Sequence, residues 1–367
     1  MVFNLRLVSA NDLYARLDAM GCVHVSLNRG GEIDLFVGDE DADRLQSLTA
    51  DLPSPGGICT VNVFAVGGGH GSDYLGFSCL PNTLARRALA DRVAAAGGGY
   101  QPAPATRVLG LAYRLVYHFN LQCGIDWRDE ARLNPTDMAT ALRNAISASG
   151  KKLSLDHCSL HNHLVKHGFG VTTERLAAYL RHDFKAGRKV FFHAWLINHL
   201  PGELNLFVIR SIATEKNRQD ELIERLRELY DVLAVKTVSP ERRARAASVM
   251  RDGRWDRGGE PAVAVAVFDR RPRATSEDQR RVHAFVFNAK QLIKQDWREW
   301  FIRSTDADEH DNPIHSTDNE AEALVHLPLF FDGREMQDIL RRVEKIRGRA
   351  GQAPGAVDGW RLRRSPP

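Results

Sequence analysis

The run AVAVAVF, residues 262–268, constrains this chain more than any other stretch. Valine alternates with alanine and no charge interrupts the pattern, so the run reads as an unambiguous strand, because β-branched side chains suit a pleated surface. A strand cannot pair its own backbone groups, and its partners must come from the flanking segments. LNLFVIRSI (204–212) and DVLAVKTV (231–238) supply two, with the helix QDELIERLREL (219–229) between them. KVFFHAWLI (189–197) also alternates and reads as a strand, and a short helix begins at Pro240. The helix NAKQLIKQDWREWF, a short strand at Ile314 and His315, and the helix NEAEALVHLPLFF complete the region. Strand and helix in this order predict a split βαβ, ferredoxin-like sandwich.

The first 72 residues alternate in a similar way. ANDLYARLDAMG reads as a helix, CVHVSL and EIDLFV as strands, DEDADRLQSLTADL as a helix and ICTVNVFAV as a third strand. From Asn82 to Lys185 helical spacing dominates, in LARRALADRVAAA, RVLGLAYRLVYHF, DMATALRNAISAS and TERLAAYLRHDF. The expected organisation is therefore α/β (α+β): a small α/β lobe over 1–72, a mainly helical extension over 73–188, a second α/β lobe over 189–340, and a tail over 341–367. That tail is rich in Arg, Gly and Pro, which predicts a frayed helix followed by disorder.

Composition narrows the function classes. With 43% hydrophobic and 26% charged residues in 367, the chain can bury two cores. A net charge of +4, spread along the chain, argues against a nucleic-acid partner. No window approaches the roughly 18 apolar residues of a membrane span, and the N-terminus does not read as a signal peptide, so a cytoplasmic location is expected. Five cysteines, Cys22, Cys59, Cys79, Cys123 and Cys158, form no CxxC and suit reduced thiols.

The segment NPIHSTDNEAEALVHLPLFF, from Asn312 to Phe331, is similar to the signature of nucleoside diphosphate kinases, with Asn312, His315, Thr317 and Asp318 matching. The resemblance extends over about 130 residues, from about 204 to 333. It implies a phosphate-accepting nucleophile at His315, phosphate contacts from Arg303 and Arg210, and a loop shaped by Asn312 and Asp318. It also implies a nucleotide such as ATP, with Mg²⁺ arriving on its phosphates. Lys290, Lys294 and Arg298 lie nearby in the sequence. The chemistry is sound on its own terms: a neutral imidazole attacks phosphorus, and phosphoryl transfer needs positioning and positive charge. The chain departs from the family's pattern at three points. His326 stands where a Glu orients the imidazole, Arg210 replaces a Lys, and PERRARAASVM lacks the expected Tyr.

The string GGEIDLFVGDEDADRL resembles the DxD strand of nucleotidyltransferases of the polymerase-β type, which implies Glu32 and Asp34 as Mg²⁺ ligands; Asn62 occupies the place of the third carboxylate. This lobe with its helical segment is similar to bacterial proteins of surface-polysaccharide biosynthesis, which implies glycan-assembly enzymes as partners. His157, His161, His163 and His167 form two pairs spaced by four, a separation that can chelate a metal, but the pairs fall on different helix faces. A surface or interdomain cluster is the simpler reading. GGGHG at 67–71 matches neither a P-loop nor a dinucleotide fingerprint. Trp297 and Trp300 read as core anchors.

The expected function is nucleotide-dependent phosphoryl transfer through His315. Its rivals are a non-catalytic module that binds a nucleotide or phosphorylated sugar, and nucleotidyl transfer at Glu32 and Asp34.

Overall fold

The computed structural model describes residues 4–7, 10–28, 32–48, 59–69, 73–119, 125, 137–185, 193, 196–197, 200–250, 255–283 and 285–351. The chain forms two compact units, Met1–Arg175 and Leu176–Pro367.

In the first unit, β1 (Asn4–Leu7), α1 (Ala10–Ala19), β2 (His24–Asn28), β3 (Glu32–Val37), α2 (Asp39–Leu48) and β4 (Cys59–Ala65) build a sheet of order β1-β4-β3-β2. The pairing is parallel between β3 and β4 and antiparallel elsewhere. Residues two apart on a strand share a face, so Ile33, Leu35 and Val37 of β3 and Val61, Val63 and Ala65 of β4 meet Leu13 and Leu17 of α1 in one core. The intervening positions, Asp34 and Phe36 with Asn62 and Phe64, occupy the opposite face. Next come α3 (Asn82–Ala90), β5 (Arg92–Ala94), β6 (Tyr100–Pro102), α4 (Pro104–Tyr113), a wide π-helical turn at Arg114–Phe119, α5 (Asp137–Ala148), α6 (His157–Lys166) and the first residues of α7 (Thr173–Lys185), whose remainder belongs to the second unit. The β5–β6 hairpin falls where helix and loop were expected, and its three-residue strands are too short to register as alternation.

The second unit contains β7 (Glu203–Arg210), α8 (Ser211–Glu215), α9 (Gln219–Leu229), β8 (Asp231–Thr237), α10 (Pro240–Val249), β9 (Pro261–Asp269), α11 (Glu277–Val282), α12 (Ile293–Ser304), β10 (Ile314–Ser316), α13 (Glu320–Phe330) and α14 (Gly333–Gly351). Its sheet runs β10-β7-β9-β8, all antiparallel, so the strands appear in the spatial order fourth, first, third, second. This is the split βαβ arrangement. β7 and β9 are buried along their whole length. Val263, Val265 and Val267 pack with Phe207, Leu222, Leu226, Trp297 and Phe301, while α13 contacts β7. Of the expected strand at 189–197, only His193, Leu196 and Ile197 are described, and all three are helical. A short apolar run does not distinguish strand from buried helix. Helix α14 continues to Gly351, and the expected tail beyond it lies outside the described residues.

Strand β10 is only three residues long, and side chains extend its pairing. Leu206 N donates to Thr317 Oγ1 (3.1 Å) and Leu204 N to Glu320 Oε2 (2.9 Å), which satisfies the edge of β7 where the ladder ends. Glu320 is fully buried and its carboxylate is met by Arg347 Nη2 at 2.6 Å. Close by, Glu203 stands opposite Asp269 in the β7–β9 register, both buried. Asp269 is held by Lys290 Nζ and Asn288 Nδ2, each at 2.8 Å. Burial, and then the charge of Glu320, push the Glu203 carboxyl up to about 8. Between its ordinary value of 4.5 and about 8 the folded chain keeps a proton that the unfolded chain releases, so this group lowers stability as pH rises through that window. Glu203→Gln is expected to flatten the loss of melting temperature across that range; an unchanged slope in the variant would show that Glu203 does not carry it.

Candidate functional site

The site begins where β10 meets the end of β7. Pro313 O accepts from Arg210 N at 2.9 Å, and His315 pairs in register with Val208. Ile314 joins the core beneath α12, so alternation along β10 turns His315 to the other face. The entering loop is held by Asn312, whose Oδ1 accepts from Arg298 Nε at 2.7 Å and from Ile314 N at 3.3 Å. Asn312 thus ties the loop to α12, and Arg298 also reaches Ile314 O at 3.4 Å.

Lys294 and Arg298 are one helical turn apart on α12 and share a face. Lys294 Nζ donates to Ser316 Oγ at 3.0 Å and lies 3.7 Å from the Asp318 carboxylate. Burial lowers the pKa of both Lys294 and Arg298. Arg210, 1% exposed, donates from Nη1 to Arg257 O at 2.9 Å, and its guanidinium lies over the Trp255 ring at 4.7 Å. Its pKa falls to about 10, chiefly through burial and then through the charge of Arg298. The Trp255 and His315 ring centroids are 5.9 Å apart. His315, 9% exposed, is pushed down to about 3 by burial, then by Lys294, Arg210, Arg298 and His326. It is therefore a neutral imidazole throughout the physiological range, among three cations.

Arg303 is not brought to this cluster. It follows Arg298 by five residues, about 140° round the helix, and its side chain is 74% exposed beside Glu299 at 3.9 Å. Arg298 and Lys294 hold the place expected of it, and their i, i+4 spacing was the available signal. Asp318 does come to the site, through Lys294, and its backbone N donates to Glu322 Oε2 at 2.6 Å. His326 is buried on α13, its Nδ1 4.0 Å from Glu322 Oε1, so a carboxylate one turn back stands behind the histidine that replaces the expected Glu. Trp255 supplies an aromatic side chain beside the cations from outside the PERRARAASVM segment, where one was sought.

In the first unit Asp34 is fully buried. Arg114 Nη2 lies 2.9 Å from its Oδ2, and Asn62 Nδ2 donates to its Oδ1 at 3.0 Å. Arg114 is also set between the rings of Phe64 and Phe119 and donates to Cys79 Sγ at 3.0 Å. The positive charge a metal would bring to Asp34 is thus already present as a guanidinium, which does not fit a Mg²⁺ ligand. Glu32 lies on the same strand, and its side chain is outside the described residues. Of the histidines on and beside α6, His157 and His161 are buried, with His161 Nδ1 2.7 Å from Tyr117 Oη, while the rings of His163 and His167 lie 4.5 Å apart. Among the described residues no group of three or more His, Cys, Asp or Glu can hold a metal ion, and no helix is long and apolar enough to cross a membrane. Cys22 and Cys79 are buried and Cys158 is half-buried. Trp297 is a core residue, and Trp300 is covered by Arg225 at 4.1 Å. Gly67 N donates to Asp39 Oδ1 at 2.7 Å, and residues 70 and 71 of the glycine-rich run lie outside the described residues.

No family model matches the chain, and no curated protein matches it. Among solved structures it is similar to a nucleoside diphosphate kinase of Aquifex aeolicus in an orthorhombic crystal form, at 19% identity and a TM-score of 0.25, over 36% of this chain and 98% of that one.

The His315 environment makes a direct prediction. Because its folded pKa is depressed below the ordinary 6.5, its contribution to stability is present above 6.5 and is lost as pH falls toward about 3. Imidazole NMR of His315 is expected to show no inflection between about pH 5 and 8. Lys294→Met should move its titration upward by removing a neighbouring cation. An inflection near 6.5 in the wild type would refute the buried, cation-flanked placement.

Proposed function

We propose that the second unit binds the phosphates of a nucleoside triphosphate and transfers the terminal phosphoryl group by way of His315. The observation that carries this reading is the neutral His315 imidazole beside Arg210, Arg298 and Lys294, a nucleophile among cations that have been drawn out of water. A multiply charged anion is the ligand such a group of cations favours, because its charge offsets their mutual repulsion and their lost hydration.

In the proposed step the lone pair of a His315 ring nitrogen attacks the γ-phosphorus. The bond from that phosphorus to the bridging oxygen breaks, and the nucleoside diphosphate leaves with the electron pair. The phosphohistidine then passes its phosphoryl group to an acceptor nucleophile by the reverse displacement. Arg210, Arg298 and Lys294 stabilise the charge that moves onto the phosphate oxygens. Asn312 keeps Arg298 in place, and His326, backed by Glu322, is the group of α13 that orients the His315 ring. Among the described residues no group of three or more His, Cys, Asp or Glu could hold a metal ion, so Mg²⁺ would enter on the phosphates of ATP and neutralise their charge. Nucleotidyl transfer at Glu32 and Asp34 is not carried forward, since Arg114 already occupies Asp34.

The alternative is a module that binds a nucleotide or phosphorylated sugar without turnover, and the observation favouring it is the imidazole in place of an anionic orienting group at His326. One experiment separates the two. Incubation with γ-labelled ATP and Mg²⁺ is expected to leave acid-labile, alkali-stable phosphate on the wild type and none on His315→Ala. Binding of ATP without label would establish the non-catalytic module.

A further inference from the structure

The loop before β9 is built to deliver one side chain. Gly258 has φ +108° and Gly259 φ +80°; a Cβ on the first would stand 2.3 Å from Asn312 O, and on the second 2.0 Å from Ser211 Oγ. Glycine alone lets this turn close against both segments. The turn is fastened by Ile212 N donating to Gly258 O (3.1 Å), Ser211 N to Glu260 O (2.9 Å) and Gly259 N to Trp255 O (3.0 Å). Trp255 Nε1 in turn donates to Ala247 O of α10 at 3.1 Å. The indole is therefore anchored at its polar atom, and the loop carrying it is clamped between the start of α8 and the Asn312 segment.

That anchored ring meets two residues of the proposed phosphate site. The Arg210 guanidinium lies over it, 4.7 Å from the centroid, and the His315 ring is 5.9 Å away at an interplanar angle of 59°. The same loop supplies the carbonyl of Arg257, which accepts from Arg210 Nη1. The ring restrains the guanidinium from one side and the carbonyl holds its Nη1. Both restraints come from one loop, so they act together.

We propose that Trp255 is a positioning residue that holds the Arg210 guanidinium beside His315 in the orientation that receives a polyphosphate chain. This rests on the phosphate-binding reading above. A tryptophan that served only to close the space over α10 would leave anion binding unchanged when shortened to another aromatic or to alanine. A positioning tryptophan would not, because an unstacked arginine must be ordered again each time the anion binds.

The test uses the full chain and inorganic tripolyphosphate, followed by calorimetry. Trp255→Ala is expected to weaken binding about tenfold, the size of a partly desolvated cation–π contact, and Trp255→Phe, which keeps a π face, by no more than about threefold. In a double-mutant cycle, Trp255→Ala added to Arg210→Lys should cost little beyond Arg210→Lys alone, because both changes remove the same ordered guanidinium. Wild-type affinity in Trp255→Ala, or independent additive losses, would overturn the inference and leave the phosphate reading standing. If the wild type takes up no tripolyphosphate at millimolar concentration, the phosphate reading fails and this inference falls with it. Should Trp255→Ala not fold, the cycle between Trp255→Phe and Arg210→Lys decides by the same criterion.

Discussion

Pairing between β7 and β9, buried from end to end, is the constraint from which the second unit is built. Every backbone group on these strands must find a partner away from water, and the antiparallel ladder provides it. The valines of β9 then dictate which helices cover one face, and α12 takes its place there through Trp297 and Phe301. Because α12 is seated by that core, its other residues are placed as well: Lys294 and Arg298, flanking the core face, reach β10, and Arg303, on the far side, reaches solvent. Arg210 is the last residue of β7, where a register shift against β9 interrupts the ladder.

The cations of the site are expensive in isolation. Each of Lys294, Arg298 and Arg210 is held where burial disfavours its charged form, and Arg210 and Arg298 lie close enough to disfavour each other. Ser316, Asn312, Ile314 O and Arg257 O are neutral acceptors for their N–H groups. Opposite charge reaches Lys294 from Asp318, at 3.7 Å, and from Glu322, and reaches Arg210 from Asp256. Keeping these charges out of water costs stability. Burial first, and the charges of Lys294, Arg210 and Arg298 second, hold His315 in its neutral form.

The first unit resolves a comparable problem in the opposite way. Asp34 lies on a buried sheet face, and Arg114 meets it from the π-helical turn, with Asn62 completing the carboxylate's contacts. Two aromatic rings cover the guanidinium. Here charge is neutralised inside the protein.

From Leu204 onward the sequence by itself determined the order of the strands and the longer helices and the pairing capacity of 262–268, because hydrophobic period is a property of neighbouring residues, and a local motif drew attention to His315 for the same reason. The sequence also placed EIDLFV, LNLFVIRSI, DVLAVKTV and AVAVAVF in strands. It did not reveal which arginine comes toward the imidazole: Arg298 and Arg303 are equally charged and Arg303 is the nearer in sequence, and only the angle at which α12 seats on the sheet separates them. Nor did it reveal Arg114 against Asp34, 80 residues on, or Trp255 against Arg210, 45 residues on, since those contacts exist only once strands from distant segments lie side by side. Local pattern sets the elements; the burial of β7 and β9 decides which side chains meet.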